Sequence, residues 1–357
     1  MNHFWPAQYA ELDFELPESL IATEPVEPAD GARLMVVSRQ TGGITHDIFA
    51  NLGNHLSTGD SIYYNATRVE ARRVRLKRAD GDAQFECVFL KTSPNAMSAD
   101  LKGQQTWQVL MRNVRRLKEG AELIAVADPA YRFRLSRRDE KLLLTTQRQL
   151  GAEDFARVGE MPLPPYMHRA ANDRDATTYQ NFFERQMAER DKIQGSAAAP
   201  TAALHFTPAL YAKLRAQRVN FLPLCLDIGY GTFAPLTEKN FTSGKLHAEH
   251  YYIPPDTAEA FTSPSEKRKV VLGTTALRAL ISFEWSRAAE GETELFVRGD
   301  ERLNGVDALI TNFHLPRSSL LLLVAAFCGK ELLARAYREA LAQKYRFYSY
   351  GDAMLIL

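Results

Sequence analysis

The stretch HAEHY (247–251) places His247 and Glu249 two residues apart. In a strand they share one face, and a histidine–carboxylate pair suits acid/base work or metal binding. A metal needs a third ligand at standard spacing, and the chain has no HExxH, so the acid/base reading is preferred and no metal is expected. Two further histidines keep unusual company. APTAALHFT (199–207) sets His205 just ahead of Thr207-Pro208, an N-cap followed by proline at the first helical position. Near a helix N-terminus a neutral imidazole is favoured and can act as a base. TNFHLP (311–316) sets Asn312 and His314 between an apolar strand-like run and a very apolar helix-like run. That histidine is either a hydrogen-bonded cap or part of a site. GTTALR (273–278) opens with Gly273, Thr274 and Thr275, whose free N–H groups and hydroxyls suit a carboxylate. Simple capping is the alternative. GYGTF (229–233) offers Gly229, Gly231 and Thr232, but it is not GxGxxG and also reads as a tight turn.

The elements that must hold these residues follow an order. VNFLPLCLDI (219–228), KVVLG (269–273) and DALIT (307–311) are strand patterns. TTALRALISFEW (274–285) has helical spacing, and 318–343 reads as one long helix or two. Strands alternating with helices imply an α/β domain with a largely parallel sheet. DSIYYN (60–65) adds a strand from the N-terminal part. In open α/β sheets ligands bind beyond the carboxyl ends of strands. NATR (65–68), GYGTF, GTT and TNFH each follow such an end, so they converge on one expected pocket.

Charge divides the chain. Between Thr67 and Glu160 there are 19 Lys+Arg and 13 Asp+Glu, a net of +6, while the remainder nets −5. The basic part holds RVEARRVRLKR (68–78) and RNVRRLKEG (112–120) among short alternating segments of strand type. It reads as a small inserted β-barrel over 67–160, with the α/β catalytic domain formed by 1–66 and 161–357. The proline-rich stretch MPLPPYMHR (161–169) marks the boundary. Arg68, Arg72, Arg73, Arg75, Arg112, Arg115 and Arg116 are candidates for a polyanion, with nucleic acid the obvious class; a solvated face is the alternative.

Whole-chain charge is only +1, which by itself implies no partner. Three scattered cysteines form neither a disulfide framework nor a zinc pattern and suit a reducing compartment. The N-terminus lacks a secretory pattern, and the longest apolar run, 320–328, falls far short of the ~20 residues of a membrane span. The expected setting is cytoplasmic with no membrane contact, and the expected state is a monomer.

The ordered segments FELPESLIATEP (14–25), PLPPYMHR (162–169), APTAALHFT, GYGTFAPL (229–236), HAEHY, GTTALR, VDALITNFHLPRSSLLLLVAAF (306–327) and YRFYSYGDAMLI (345–356) together resemble one family. It is the S-adenosylmethionine:tRNA ribosyltransferase-isomerases of queuosine synthesis, and the resemblance runs over nearly the whole chain. The resemblance implies an α/β domain with an inserted β-barrel. It implies transfer and isomerisation of the ribosyl part of S-adenosylmethionine onto the aminomethyl group of 7-aminomethyl-7-deazaguanine in a tRNA with a queuosine-type anticodon. The product is epoxyqueuosine, and adenine and methionine leave. On this reading His205, His247, Glu249 and His314 supply base and acid. Gly229, Gly231, Thr232, Gly273 and Asn312 line the co-substrate pocket. Thr274 and Thr275 hold the methionine carboxylate, and Asp352 meets its ammonium.

The chain departs from the family's usual motifs. Ala66 replaces an acidic residue, Ala29 and Ala32 replace polar ones while Asp30 and Arg33 remain, and Ala203 replaces a glycine. Asp227 stands for a histidine and Tyr230 for an alanine. The polar stretch 184–196 is unlike the family's shorter link. These changes leave open a different amine acceptor, or a non-catalytic tRNA- or nucleotide-binding relative.

Overall fold

The computed structural model describes residues 4–93, 103–138, 141–185, 195–229, 235–299, 301 and 303–357. Two compact units emerge from the packing. One comprises the described parts of 1–67, 180–193 and 200–357; the other comprises those of 68–179 and 194–199.

The first unit is built on nine strands. They are β1 (Arg33–Val37), β2 (Ile44–Ile48) and β3 (Ser61–Asn65), then, after the second unit's β4 to β10, β11 (Asn220–Leu226), β12 (Lys245–Tyr252), β13 (Lys269–Leu272), β14 (Glu290–Leu295), β15 (Ala308–Asn312) and β16 (Ala353–Ile356). Their order is β14-β12-β11-β3-β13-β15-β16-β1-β2. The central β11, β3, β13 and β15 are mutually parallel. β16 is antiparallel to β15 and parallel to β1, and the flanking β12, β14 and β2 are antiparallel.

Central strands bury both faces, so their side chains alternate between two cores. Tyr63, Val271, Leu309 and Met354 enter one core; Ile62, Tyr64, Val270 and Ile310 enter the other. The helix α3 (Pro208–Ala216) packs Leu210 and Leu214 into the second core. The first core takes α6 (Thr274–Ser286), α7 (Ser319–Cys328) and α8 (Lys330–Ala342). The helical stretch expected over 318–343 is thus two helices. Gly329 separates them at φ +88°, a conformation glycine adopts without steric cost. As the sequence predicts, Thr207 caps α3, its Oγ1 accepting from the Leu210 N–H at 3.1 Å.

The second unit holds β4 (Arg73–Arg78), β5 (Gln84–Thr92), β6 (Gln105–Met111), β7 (Glu122–Ala125), β8 (Arg132–Arg138), β9 (Lys141–Thr146) and the short β10 (Gly159–Glu160). The ring β4-β5-β6-β9-β8-β7 closes by β7 pairing back onto β4, all antiparallel. Closure removes the edges that an open sheet of this size would expose. Phe155 of α1 (Ala152–Val158) packs on Phe89 and Trp107, each with ring centroids 5.3 Å away. The segment after 160, expected as a boundary, packs with the barrel. There β10 pairs with Arg73 and Val74, and the Leu163 carbonyl accepts from Arg73 Nη2 at 2.5 Å.

Candidate active site

Because β11, β3, β13 and β15 are parallel neighbours, their carboxyl ends share one edge of the sheet. Asn65, at the end of β3, ties that edge together. Its Nδ2 donates to the Leu226 carbonyl at 2.9 Å, and its Oδ1 accepts from the Leu226 and Thr67 N–H groups.

β12 lies antiparallel on β11, so its first half runs out past this edge, with a register shift between Lys245 and Glu249. His247 and Glu249 do share a face: His247 Nε2 lies 2.8 Å from Glu249 Oε1. The same oxygen accepts from the Gly229 N–H at 2.9 Å, and Oε2 accepts from Arg278 Nη1 at 2.5 Å. Arg278 also donates to the His247 and Thr293 carbonyls. Burial alone would raise the Glu249 pKa, but the Arg278 guanidinium, His247 and the Gly229 N–H together hold it below the ordinary value. Glu249 is therefore an ionised acceptor. The facing His247 Nε2 must carry a hydrogen, which leaves Nδ1 as the nitrogen that takes a proton. The His247 side chain is 31% exposed, so Nδ1 belongs to a ring solutes can reach.

A second cluster forms at the end of β15, three strand spacings or ~14 Å from β11. His205 ends the 3-10 turn Thr201–His205 and packs on the Phe49 ring, 4.9 Å between centroids. Its Nε2 is 3.0 Å from Asn312 Nδ2. Asn312 Oδ1 accepts from Thr201 Oγ1 at 3.1 Å. Thr207 Oγ1, two residues on, donates to Asp30 at 2.7 Å. Burial, helped by the Arg346 charge, pushes the His205 pKa down to about 4. His314 is also buried. Its Nε2 is 2.9 Å from Thr311 Oγ1, its N–H donates to the Tyr337 hydroxyl at 2.8 Å, and burial pushes its pKa down to about 3.

These two rings set a pH dependence of stability. Both bind protons more readily in the unfolded chain, near pH 6.5, than in the fold. Stability is therefore full above pH 6.5 and falls as pH drops toward 4, by up to about 1.4 kcal/mol per pH unit for each histidine. His250 is raised instead, chiefly by its hydrogen bond to Asp227, against the opposing effect of burial. It is protonated in both states below 6.5, so it adds nothing in that window. Urea midpoints at pH 6, 5.5 and 5 should fall steadily; a flat series would mean the rings are hydrated.

At the third cluster, Gly273 (φ +88°) leads into α6, and a Cβ there would lie 3.4 Å from the Ala202 Cβ. Among the described residues the buried Thr275 Oγ1, on the first turn of α6, has no hydrogen-bond partner.

Other residues expected at the site are engaged within the protein. Asp352 is 1% exposed and accepts from the backbone N–H groups of Arg33 (2.9 Å) and Arg346 (2.7 Å). It staples two chain segments through both of its oxygens. Asn312 directs its amide to His205, Thr201 and the Tyr348 carbonyl. Arg72 is 3% exposed, bonded to Glu70 at 2.7 Å and lying over the Trp107 ring, so it is buried in its unit. Arg73 holds the Leu163 carbonyl, and Arg75 pairs with Glu160 at 3.0 Å. Arg68, Arg112 and Arg115 are exposed. Nothing is described of the Arg116 side chain, and Gly231, Thr232, Tyr230 and most of 184–196 lie outside the described residues. Among the departures, Ala66 and Ala203 are buried in the second core, and Asp227 pairs with His250 at 3.4 Å.

The sequence reading missed Arg278. A lone arginine in the apolar helical run ALRALISF was the available signal, since a buried guanidinium requires a carboxylate partner. Among the described residues no group of three or more His, Cys, Asp or Glu is placed to hold a metal ion, and no helix is long and apolar enough to cross a membrane.

A family profile described as queuosine biosynthesis protein matches residues 9–356. The chain belongs to this family. It is 38% identical over 350 residues to the S-adenosylmethionine:tRNA ribosyltransferase-isomerase of Sulfurihydrogenibium sp. (strain YO3AOP1), covering 98% of this chain and 99% of that protein. The enzyme of the same description from Thermotoga maritima is 38% identical over 353 residues, covering 98% and 99%. The crystal structure of the S-adenosylmethionine tRNA ribosyltransferase from Thermotoga maritima aligns with a TM-score of 0.53 at 32% identity, over 97% of this chain and all of that one.

Proposed function

We infer that the chain transfers and isomerises the ribosyl moiety of S-adenosylmethionine onto the aminomethyl group of 7-aminomethyl-7-deazaguanine in tRNA, giving epoxyqueuosine and releasing adenine and methionine. Full-length likeness to relatives described by that activity carries the reading. The His247–Glu249–Arg278 cluster gives the reaction a plausible seat among this chain's own residues.

The sulfonium of the co-substrate acidifies the neighbouring C5′ protons, and a base must take one. His247 is that base: Glu249 holds its Nε2–H and balances the imidazolium that forms, so the proton arrives at Nδ1. Arg278 keeps Glu249 ionised and in place. Glu249 is an orienting carboxylate, not the acid. The start of α6, with the Thr275 hydroxyl, binds the methionine carboxylate. The four strand spacings from β12, which carries His247, to β15, which carries Asn312, come to about 19 Å and leave room for an extended nucleoside. His314, bonded to Thr311 and Tyr337, holds the loop after β15. Exposed arginines of the barrel unit, Arg68, Arg112 and Arg115, take tRNA phosphates, so binding weakens with salt.

The test is a single-turnover reaction with S-adenosylmethionine and tRNA carrying the aminomethyl base, following adenine, methionine and nucleoside mass. Release of both in step with the epoxy-cyclopentyl nucleoside is expected. Bound co-substrate with no release on this tRNA sinks the reading.

A further inference from the structure

Asn312 makes three hydrogen bonds, and together they fix which way its amide points. The Tyr348 carbonyl, 3.1 Å away, can only accept, so the amide atom facing it is Nδ2. The same Nδ2 faces His205 Nε2 at 3.0 Å. An N–H₂ donor there requires an unprotonated ring nitrogen. The Thr201 hydroxyl donating to Oδ1 at 3.1 Å locks the orientation from the other side. Flipping the amide would set two oxygens against each other at Tyr348. A neutral His205 in this seat must carry its hydrogen on Nδ1, and a second proton at Nε2 would meet the Asn312 donor head-on.

We propose that Asn312 is a positioning residue that holds His205 as the Nδ1–H tautomer, so that His205 serves the ribosyl transfer as a neutral hydrogen-bond donor and not as its general base. This rests on the activity inferred above. It divides labour between the two clusters. His247 presents an open acceptor nitrogen; His205 has its acceptor nitrogen already filled and only a donor left. A neutral imidazole donor is suited to a group that gains electron density as a bond breaks, such as a nitrogen of departing adenine or a sugar oxygen. Phe49 packs against the ring with centroids 4.9 Å apart.

The deciding measurement is ¹⁵N NMR of the full chain with ¹⁵N-labelled histidine, with and without S-adenosylmethionine, His205 being assigned by loss of its signals in His205→Gln. A protonated-type Nδ1 and an unprotonated-type Nε2 at pH 7 are expected. Asn312→Asp replaces the donor by an acceptor of the same shape, which draws the proton to Nε2. In that variant the two signals should exchange character. Its kcat should fall about 10²-fold, the scale of losing one preorganised donor, while KM for S-adenosylmethionine stays within about threefold. A wild-type Nε2–H or an imidazolium at pH 7 overturns the proposal without any variant having to fold. An exchanged tautomer with unchanged kcat overturns it too. The Nδ1–H signature in a wild-type protein that releases no adenine would instead count against the inferred activity.

Discussion

Replacing His247 with alanine should slow single-turnover adenine release by about 10²–10⁴-fold, the usual contribution of a positioned general base. The urea midpoint should fall only modestly, because a third of that side chain already faces solvent while buried Glu249 loses one of its donors. The loss of rate follows from the geometry of the dyad. Glu249 Oε1 accepts from both Gly229 N–H and His247 Nε2, so the ring is held by one nitrogen and leaves the other outward. His247→Gln can restore the bond to Glu249 but has no basic nitrogen to offer. It should therefore be as slow as the alanine variant. Rapid-quench assays at saturating S-adenosylmethionine make the comparison. If His247→Gln releases adenine at the wild-type rate, the base lies elsewhere on the edge.

Arg278→Met should cost stability on the order of 3–5 kcal/mol, since it strands an ionised carboxylate in the interior. Glu249 and Arg278 have side chains 2% and 8% exposed, and their contact is 2.5 Å. The guanidinium also satisfies the His247 and Thr293 carbonyls, so three acceptors lose a donor at once. Methionine keeps most of the volume, which separates charge from packing. Adding Glu249→Leu to Arg278→Met should recover much of the stability, because a well-packed apolar pair is often no worse than a buried ion pair. It should not recover turnover, because His247 then has no carboxylate to orient it. Chemical denaturation of the four members of this cycle, paired with adenine release, measures both couplings. Equal stability of Arg278→Met and wild type would mean that water reaches Glu249.

Much of this arrangement is legible in the sequence because its signals are local. Strand runs closed by polar residues, at Asn65, Gly273 and Asn312, are short-range patterns, and parallel order brings their ends together. The two-residue spacing of His247 and Glu249 translates directly into a shared face. What stays hidden depends on partners far away in the chain. Asp352 looks like any acidic residue near a glycine until Arg33 and Arg346 are seen to turn their N–H groups on it. Arg72 sits in a basic run that reads as surface, yet its neighbour two residues back, Glu70, and the Trp107 ring draw it inward. Charge density along a chain says nothing of direction, and in a closed barrel alternate residues point to opposite sides. The antiparallel placement of β16 is equally silent in its four apolar residues.

That last strand governs when the protein can exist. β16 fills the gap between β15 and β1, and the Arg33 N–H reaches Asp352 across 319 residues of chain. During synthesis β1 and β15 each wait with an unpaired edge until residues 353–356 clear the ribosome. Among the described strands β16 is made after every other member of its sheet, so the slow, long-range search that completes the sheet comes late. For that interval the nascent chain carries two apolar edges open to other chains, and its safe passage depends on how quickly four residues find their slot.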